Sequence, residues 1–442
     1  MARLFGTDGV RGVVGDDLTA ELATDLGRAA ALVLMRHGDA EPAFVIGRDT
    51  RASGAMLEEA LADGVRSAGG DVLLAGVQTT PAIAFLTIDA GAAAGVVISA
   101  SHNPPEYNGI KFFGATGRKL DDDLEDEIEA ALRAPASAEI TPGQVRSLDD
   151  GAERYLAHLV DTAEARLDGM TVVVDCANGA ASSVSPEALR RLGATVHAIC
   201  DSPDGTNIND GCGALHPEVV AKEVVALGAD AGVAHDGDAD RALFADAEGN
   251  VIDGDQVLAA AAIAFHEQGR LAADTVVSTV MANLGFRKAM DAAGITNVAA
   301  KVGDRYVLEE MRRTGAVLGG EQSGHIIFGE HATTGDGILT AIEFLTLAAK
   351  SGRTVAELAS CMRRYPQVLL NVRVPDLGGL DVATDIWDAV ASAEAGLADR
   401  GRILVRSSGT EPLVRVMVEA ETQEEAASVA EALSEQVRGS LA

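Results

Sequence analysis

The segment TVVVDCANG, residues 171–179, decides how this chain folds. Three consecutive valines run into an aspartate and a cysteine, and Ala-Asn-Gly then turns the chain. A β-branched run closed by turn residues reads as a buried strand. PEALRRLGATVHAI (186–199) follows: a short helical stretch, a glycine, then a second apolar run. Strand, polar loop, helix, glycine and strand make a βαβ unit, the signature of a mostly parallel sheet. The same order stands upstream, where AFVIGRDT (43–50) leads through a helical stretch to AGGDVLLAG (68–76). It stands again downstream, where TVVSTVMANLG (275–285) leads through FRKAMDAAGITNVAA (286–300). These units predict three related α/β domains.

From about Gln367 the pattern changes. VLLNVRV (368–374) reads as a strand, DIWDAVASAEAGL (385–397) as a helix, RILVR (402–406) and LVRVMVEA (413–420) as strands, and EEAASVAEALSEQV (424–437) as a helix. The last two strands are joined only by SSGTEP (407–412), so they should pair antiparallel in a smaller α+β module. AEITPGQVRSLDDG (138–151) is the expected linker between the first two domains.

The bulk numbers agree with a multidomain globular protein. At 442 residues the chain exceeds one ordinary core. Apolar residues make up 47% and charged residues 23%, but aromatics only 3%, so Val, Leu, Ile and Ala must fill the cores. Sixty-seven acids against 35 bases give a net charge of −32, which argues against nucleic acid as a partner. Cys176, Cys200, Cys212 and Cys361 are scattered with no CxxC pair, so neither a disulfide framework nor a zinc site is legible. VLAAAAIAF (257–265) is about half the roughly 18 residues needed to span a bilayer, and no signal-peptide core is present. The expectation is a cytoplasmic protein with no membrane partner.

Four short stretches could carry chemistry. HDGDADR (235–241) follows an apolar run, and if it is extended Asp236, Asp238 and Asp240 point to one side. Two carboxylates about 4 Å apart repel by roughly 4 kcal/mol at an effective dielectric near 20, so three call for a cation. Hard oxygen ligands favour Mg²⁺ or Ca²⁺. An EF-hand is excluded, because Arg241 and Ala247 stand where that loop needs Gly and Glu. In RSSGTEPLVR (406–415), turn N–H groups, hydroxyls and two arginines make an anion cradle. GGEQSGH (319–325) places Glu321 and Ser323 where sugar hydroxyls could bind, with His325 to move protons. SASHNP (99–104) leaves a strand at its carboxyl end, where open α/β sheets bind ligands. No GxSxG or other hydrolase frame surrounds Ser101.

SASHNP, DGDADR, GEQSGH and RSSGTEP, in this order, resemble the α-D-phosphohexomutases. The opening RLFGTDGVRG (3–12) and the GEQSGH form look like the branch of that family acting on glucosamine phosphates. The resemblance implies a heart-shaped molecule with a central cleft, built of three βαβ-type domains with mixed sheets and a C-terminal α+β domain. Its domains would run 1–151, 152–252, 253–366 and 367–442, each supplying one motif. It implies that Ser101 is phosphorylated at rest and that one Mg²⁺ is held by that phosphate with Asp236, Asp238 and Asp240. Arg241, Lys111 and Arg11 would stabilise charge, Lys111 and His325 would be the general bases, and His102 would have a structural or electrostatic role. Glu321 and Ser323 would hold the sugar's 3- and 4-hydroxyls. Arg406, Ser407, Ser408, Gly409, Thr410 and Arg415 would hold the phosphate that is not reacting. Glucosamine 6-phosphate would become glucosamine 1-phosphate through a 1,6-bisphosphate, and glucosamine or glucose 1,6-bisphosphate would prime the enzyme. The partners implied are small sugar phosphates, with a homodimer compatible. The rivals are glucose or mannose specificity, a metal-dependent phosphatase, and a non-catalytic sugar-phosphate sensor; the last would have lost Ser101 or an aspartate, and none is lost.

Overall fold

The computed structural model describes residues 3–6, 9–37, 41–133, 140–375, 378–408 and 413–441. Six strands build the first sheet: β1 (Val10–Val13), β2 (Glu41–Arg48), β3 (Asp71–Val77), β4 (Ala92–Ile98), β5 (Tyr107–Gly114) and β6 (Val145–Ser147), in the order β1-β5-β4-β2-β3-β6. β4, AAAGVVI, is buried along its whole length, as expected of a strand covered on both faces. Helices Ala20–Leu34 and Gly54–Ser67 lie against one another beside it. A Cβ on Gly27 would stand 2.3 Å from Leu61 O, and one on Gly64 2.0 Å from Thr24 O, so the two backbones touch where side chains would part them.

The second sheet holds β7 (Thr171–Asp175), β8 (Thr195–Ile199), β9 (Ala231–His235), β10 (Ala242–Asp246) and β11 (Val251–Ile252), ordered β11-β10-β9-β7-β8. The third holds β12 (Thr275–Thr279), β13 (Thr296–Ala300), β14 (Leu318–Gly320) and β15 (Ile326–Phe328), ordered β13-β12-β14-β15. The βαβ strands pair in parallel as expected: β2 with β3, β7 with β8, β12 with β13. Each sheet also turns antiparallel, at β4–β5, β9–β10 and β14–β15, so all three are mixed, as the resemblance implies.

The expected linker at 138–151 is partly structure. Val145–Ser147 forms β6, which adds in parallel to β3 as an exposed edge. Three exposed residues carry no hydrophobic alternation, so the strand has no pattern to read.

The chain divides into two compact units, residues 1–281 with 294–361, and residues 282–293 with 362–442. The second contains β16 (Gln367–Arg373), β17 (Arg402–Ser407) and β18 (Leu413–Glu419), an antiparallel sheet in the order β16-β18-β17. Helices Thr384–Leu397 and Gln423–Ser440 pack on it around Val372, Ile386, Val414 and Val416. Helix Leu284–Ala293, read from sequence as part of the third βαβ unit, groups with this sheet instead. Asn283 exchanges hydrogen bonds with the Tyr365 backbone at 2.9 and 3.0 Å, and Leu284 N donates to Glu419 Oε2 at 2.8 Å. Among the described residues no helix is long and apolar enough to cross a membrane.

Candidate active site

Ser101 leaves the end of β4 in the left-handed region, φ 50°, and is buried. Its hydroxyl donates to Asp236 Oδ2 at 2.6 Å and lies 3.3 Å from His102 Nδ1. The strained turn is held from behind. Ser101 N donates to Ser99 Oγ at 2.9 Å, and Ser99 Oγ donates to Asp49 Oδ2 at 2.6 Å. Arg51, buried and paired with Asp49 at 2.9 Å, donates to the carbonyls of Ser101 (3.0 Å), Asn103 (2.8 Å) and Pro104. Asn209 Nδ2 reaches Ser101 O at 2.9 Å and Asn103 O at 3.2 Å. Arg11, on β1, donates to Asn103 Oδ1 at 3.3 Å. Arg51 and Asn209 were not singled out from the sequence. GRDT reads only as a strand end, one residue short of Arg51.

The three aspartates sit in the β9–β10 connection and are buried. They are not extended, as the alternation argument supposed. Ala239 takes φ 56° and its N–H donates to Asp236 O at 3.0 Å, so a turn carries the carboxylates together. One oxygen from each lies within 4.8 Å of the others. Asp238 Oδ2 accepts from Thr80 Oγ1 at 2.6 Å and stands 3.8 Å from Lys111 Nζ. Arg241 Nε is 3.7 Å from Asp240 Oδ1 and 3.9 Å from Asp236 Oδ2. Burial, then the charges of Asp240 and Asp238, push the Asp236 carboxyl well above the usual range. Asp238 Oδ1 and Asp240 Oδ1 are buried with no hydrogen-bond partner among the described residues. Oxygen donors in excess of available protons suit a hard dication, and Mg²⁺ fits this set.

Glu321, Ser323 and His325 occupy the β14–β15 connection. Glu321 Oε1 accepts from Gly303 N at 3.0 Å, and Ser323 Oγ is buried with no partner among the described residues. His325 Nδ1 faces Asp240 Oδ2 at 3.5 Å, while its Nε2 accepts from Gly335 N at 3.2 Å. Burial works to lower the His325 pKa, but Asp240 outweighs it and pushes it up to about 9. The Gly335 N–H opposes that charge, since it needs an unprotonated Nε2. The hydrogen bond fixes the tautomer: Nδ1–H toward Asp240, Nε2 toward Gly335. Burial, then the charges of Arg241 and Arg11, lower the pKa of His102. Ser101, Lys111, Asp240, Arg241, Glu321 and His325 all face one cavity of about 240 Å³.

The fourth motif belongs to the second compact unit. Arg406 and Arg415 stand directly opposite across β17 and β18. Burial, then Arg415, lowers the Arg406 pKa, and Arg415 Nε is buried with no partner among the described residues. Ser407 is exposed at the strand end, and Ser408 N donates to Leu413 O at 2.8 Å. Gly409 and Thr410 lie outside the described residues.

Comparison with known proteins names the arrangement. Phosphoglucomutase/phosphomannomutase family models match residues 2–139 (α/β/α domain I), 153–249 (domain II), 253–365 (domain III) and 369–436 (C-terminal domain). The phosphoglucosamine mutase of Acidothermus cellulolyticus is 55% identical, covering 99% of this chain and 96% of its own. That of Rhodococcus jostii is 54% identical over the whole of both chains. The chain belongs to the phosphoglucosamine mutase family. A phosphoglucomutase/phosphomannomutase family protein from Burkholderia thailandensis, 26% identical, superposes with a TM-score of 0.85 over 99% of this chain and 97% of its own. Membership makes the chain an isomerase of the mutase type, and the four motifs of this phosphoglucosamine mutase family member each fall within one matched segment.

Proposed function

We propose that this chain interconverts glucosamine 6-phosphate and glucosamine 1-phosphate through a phosphorylated Ser101 and a 1,6-bisphosphate intermediate. The observation that carries the reading is the Ser101 hydroxyl held 2.6 Å from Asp236, inside a buried three-carboxylate cluster and facing the same cavity as Glu321. The naming of curated relatives more than half identical supports the amino sugar. Bound Mg²⁺, held by Asp236, Asp238, Asp240 and the Ser101 phosphate, would neutralise charge on the transferring phosphoryl group. Arg51 and Asn209 hold the serine loop, so that Oγ is aimed before the substrate arrives. In the first half-reaction the sugar 1-hydroxyl takes the phosphoryl group from Ser101 and loses its proton. In the second, after the bisphosphate has turned over, Ser101 takes the 6-phosphoryl group, and its own hydroxyl proton passes to the sugar's freed 6-oxygen. Transfers of this kind depend on positioning and charge stabilisation, and Lys111 and Arg241 supply the cations at the cavity wall.

Proton transfer at the sugar hydroxyl falls to Lys111, buried at the cavity wall: as the neutral amine it takes the hydroxyl proton, and as the ammonium so formed it stabilises charge on the phosphoryl group. His325, with both ring nitrogens engaged, positions Asp240. Glu321 and Ser323 take the sugar hydroxyls, and Arg406, Ser407, Ser408, Gly409, Thr410 and Arg415 the distal phosphate. A bisphosphate primer loads Ser101. The four domains run 1–151, 152–252, 253–366 and 367–442. Four free cysteines among the described residues suit the reducing cytoplasm, where we place the enzyme.

The test is kcat/KM for glucosamine 1-phosphate, glucose 1-phosphate and mannose 1-phosphate, with Mg²⁺ and a bisphosphate primer. A preference of about 100-fold for the amino sugar, some 2.7 kcal/mol at the transition state, is expected. Equal rates would reassign the specificity and leave the chemistry. Ser101→Ala should show no turnover above background while folding normally, and retained turnover would end the phosphoserine mechanism.

A further inference from the structure

A second cluster lies at the carboxyl ends of β7 and β8, away from the acidic triad. Asp175 ends β7, Cys200 follows β8 directly, and Cys212 comes from the loop that β8 leads into. One carboxylate oxygen of Asp175 and the two sulfurs lie within 4.8 Å of one another. We infer that Asp175, Cys200 and Cys212 form a binding site for a thiophilic divalent cation of the zinc and cadmium class.

Three features support the assignment. The two thiols and the carboxylate converge from the ends of β7 and β8 and the loop that follows. Backbone N–H groups of Ala177 and Gly213 fix the carboxylate, each at 2.9 Å, so it is oriented before any ligand arrives. Asn178 Nδ2 lies 3.8 Å from Cys212 Sγ, a donor of the kind that supports a thiolate.

Binding is an exchange. Two S–H bonds break, two metal–sulfur bonds form, and two protons leave to solvent. Asp175 and Cys212 are buried and Cys200 is half-buried, which leaves the Cys200 side for entry and for a fourth ligand such as water. Softness separates the two sites of the molecule, since thiolates select zinc-class ions and the all-oxygen triad selects magnesium. The loop between the two cysteines carries Asn209, which grips Ser101 O and Asn103 O, so occupancy would be felt at the phosphoserine turn.

The experiment titrates Cd²⁺ into the reduced, chelator-stripped full chain, with Mg²⁺ present to fill the acidic triad. One equivalent should bring up the ultraviolet thiolate-to-cadmium charge-transfer band, release two protons, and shield Cys200 from a thiol reagent while Cys361 still reacts. The band should persist in Asp238→Asn and vanish in Cys212→Ser. Absence of the band at one equivalent, or its survival in Cys212→Ser, would overturn the assignment. So would conversion of the pair to a disulfide with no metal retained. Should Cys212→Ser not fold, mapping of the cysteines shielded in the wild-type chain decides the matter alone.

Discussion

Arg51 makes its ion pair with Asp49 with neither side chain exposed, and a buried pair of this kind is weak support for stability yet costly to break. Its remaining N–H groups are spent on the carbonyls of the serine turn, so one guanidinium ties the end of β2 to the Ser101 loop. Arg51→Met should therefore destabilise by about 3–5 kcal/mol, because Asp49 is left buried and charged. The double variant Asp49→Asn, Arg51→Met should recover much of that stability and little turnover. Denaturant midpoints and kcat for the two variants check this, and full recovery of kcat would show that the clamp does not position Ser101. At this scale the sequence is partly transparent. Ser101, the three aspartates, Glu321 and His325 announce themselves by residue type and spacing. Arg51, Asn209 and Thr80 do not, because an arginine after a strand, an asparagine in a loop and a threonine at a helix start have common structural uses. Only the fold shows that their hydrogen bonds end on the site.

All four motifs are the same element, the connection between a strand and the antiparallel strand next in the chain: β4 to β5, β9 to β10, β14 to β15 and β17 to β18. The β17–β18 connection was legible because only six residues join its strands. The other three were hidden behind the parallel βαβ signal, and β6 was too short and too exposed to show any periodicity. In the fourth connection Arg406 and Arg415 oppose each other, and like charges directly across a sheet are destabilising until an anion lies between them. Arg415→Ala should weaken phosphate binding by about 2–3 kcal/mol, in line with lost charge-assisted hydrogen bonds, while the ligand-free protein melts no lower than wild type. Calorimetric titration with substrate and a thermal melt check both halves; unchanged affinity would remove the cradle. Helix Gly337–Ser351 carries a different kind of charge. Glu343 is buried, its Oε1 has no hydrogen-bond partner among the described residues, and burial pushes its pKa from 4.5 up to about 7. The folded state thus holds this proton more tightly than the unfolded state. Stability is lost as pH rises from about 4.5 through 7, by up to about 3 kcal/mol. Glu343→Gln should raise the melting temperature at pH 8 and do little at pH 5, and equal gains at both would show that the carboxyl is not the cause.

Across the whole molecule the net charge of −32 sets a problem for an enzyme whose substrates are anions. A polyanion repels sugar phosphates at long range, so the cations that receive them must act locally, and Lys111 and Arg241 are placed at the wall of the cavity. The same wall includes Asp240, one of the three clustered aspartates. Three buried carboxylates with oxygens within 4.8 Å of one another repel in the ion-free fold, with Lys111 and Arg241 as the nearby cations. Under the proposed function that repulsion is what a bound dication would relieve. Asp236→Asn should therefore stabilise the ion-free protein at neutral pH by about 1–3 kcal/mol, since a group forced toward neutrality by burial and like charge is replaced by a neutral one. Added Mg²⁺ should raise the melting temperature of the wild type strongly and that of the variant weakly, by the mass-action stabilisation that any ligand of the native state provides. Chelation should abolish wild-type turnover reversibly, and the variant should be inactive with or without the ion. Melts of both proteins, with chelator and with Mg²⁺, make the four-way comparison. A variant less stable than wild type in chelator would mean that Asp236 holds the loop through its bonds to Ser101 and Arg241 more than it strains the site by charge.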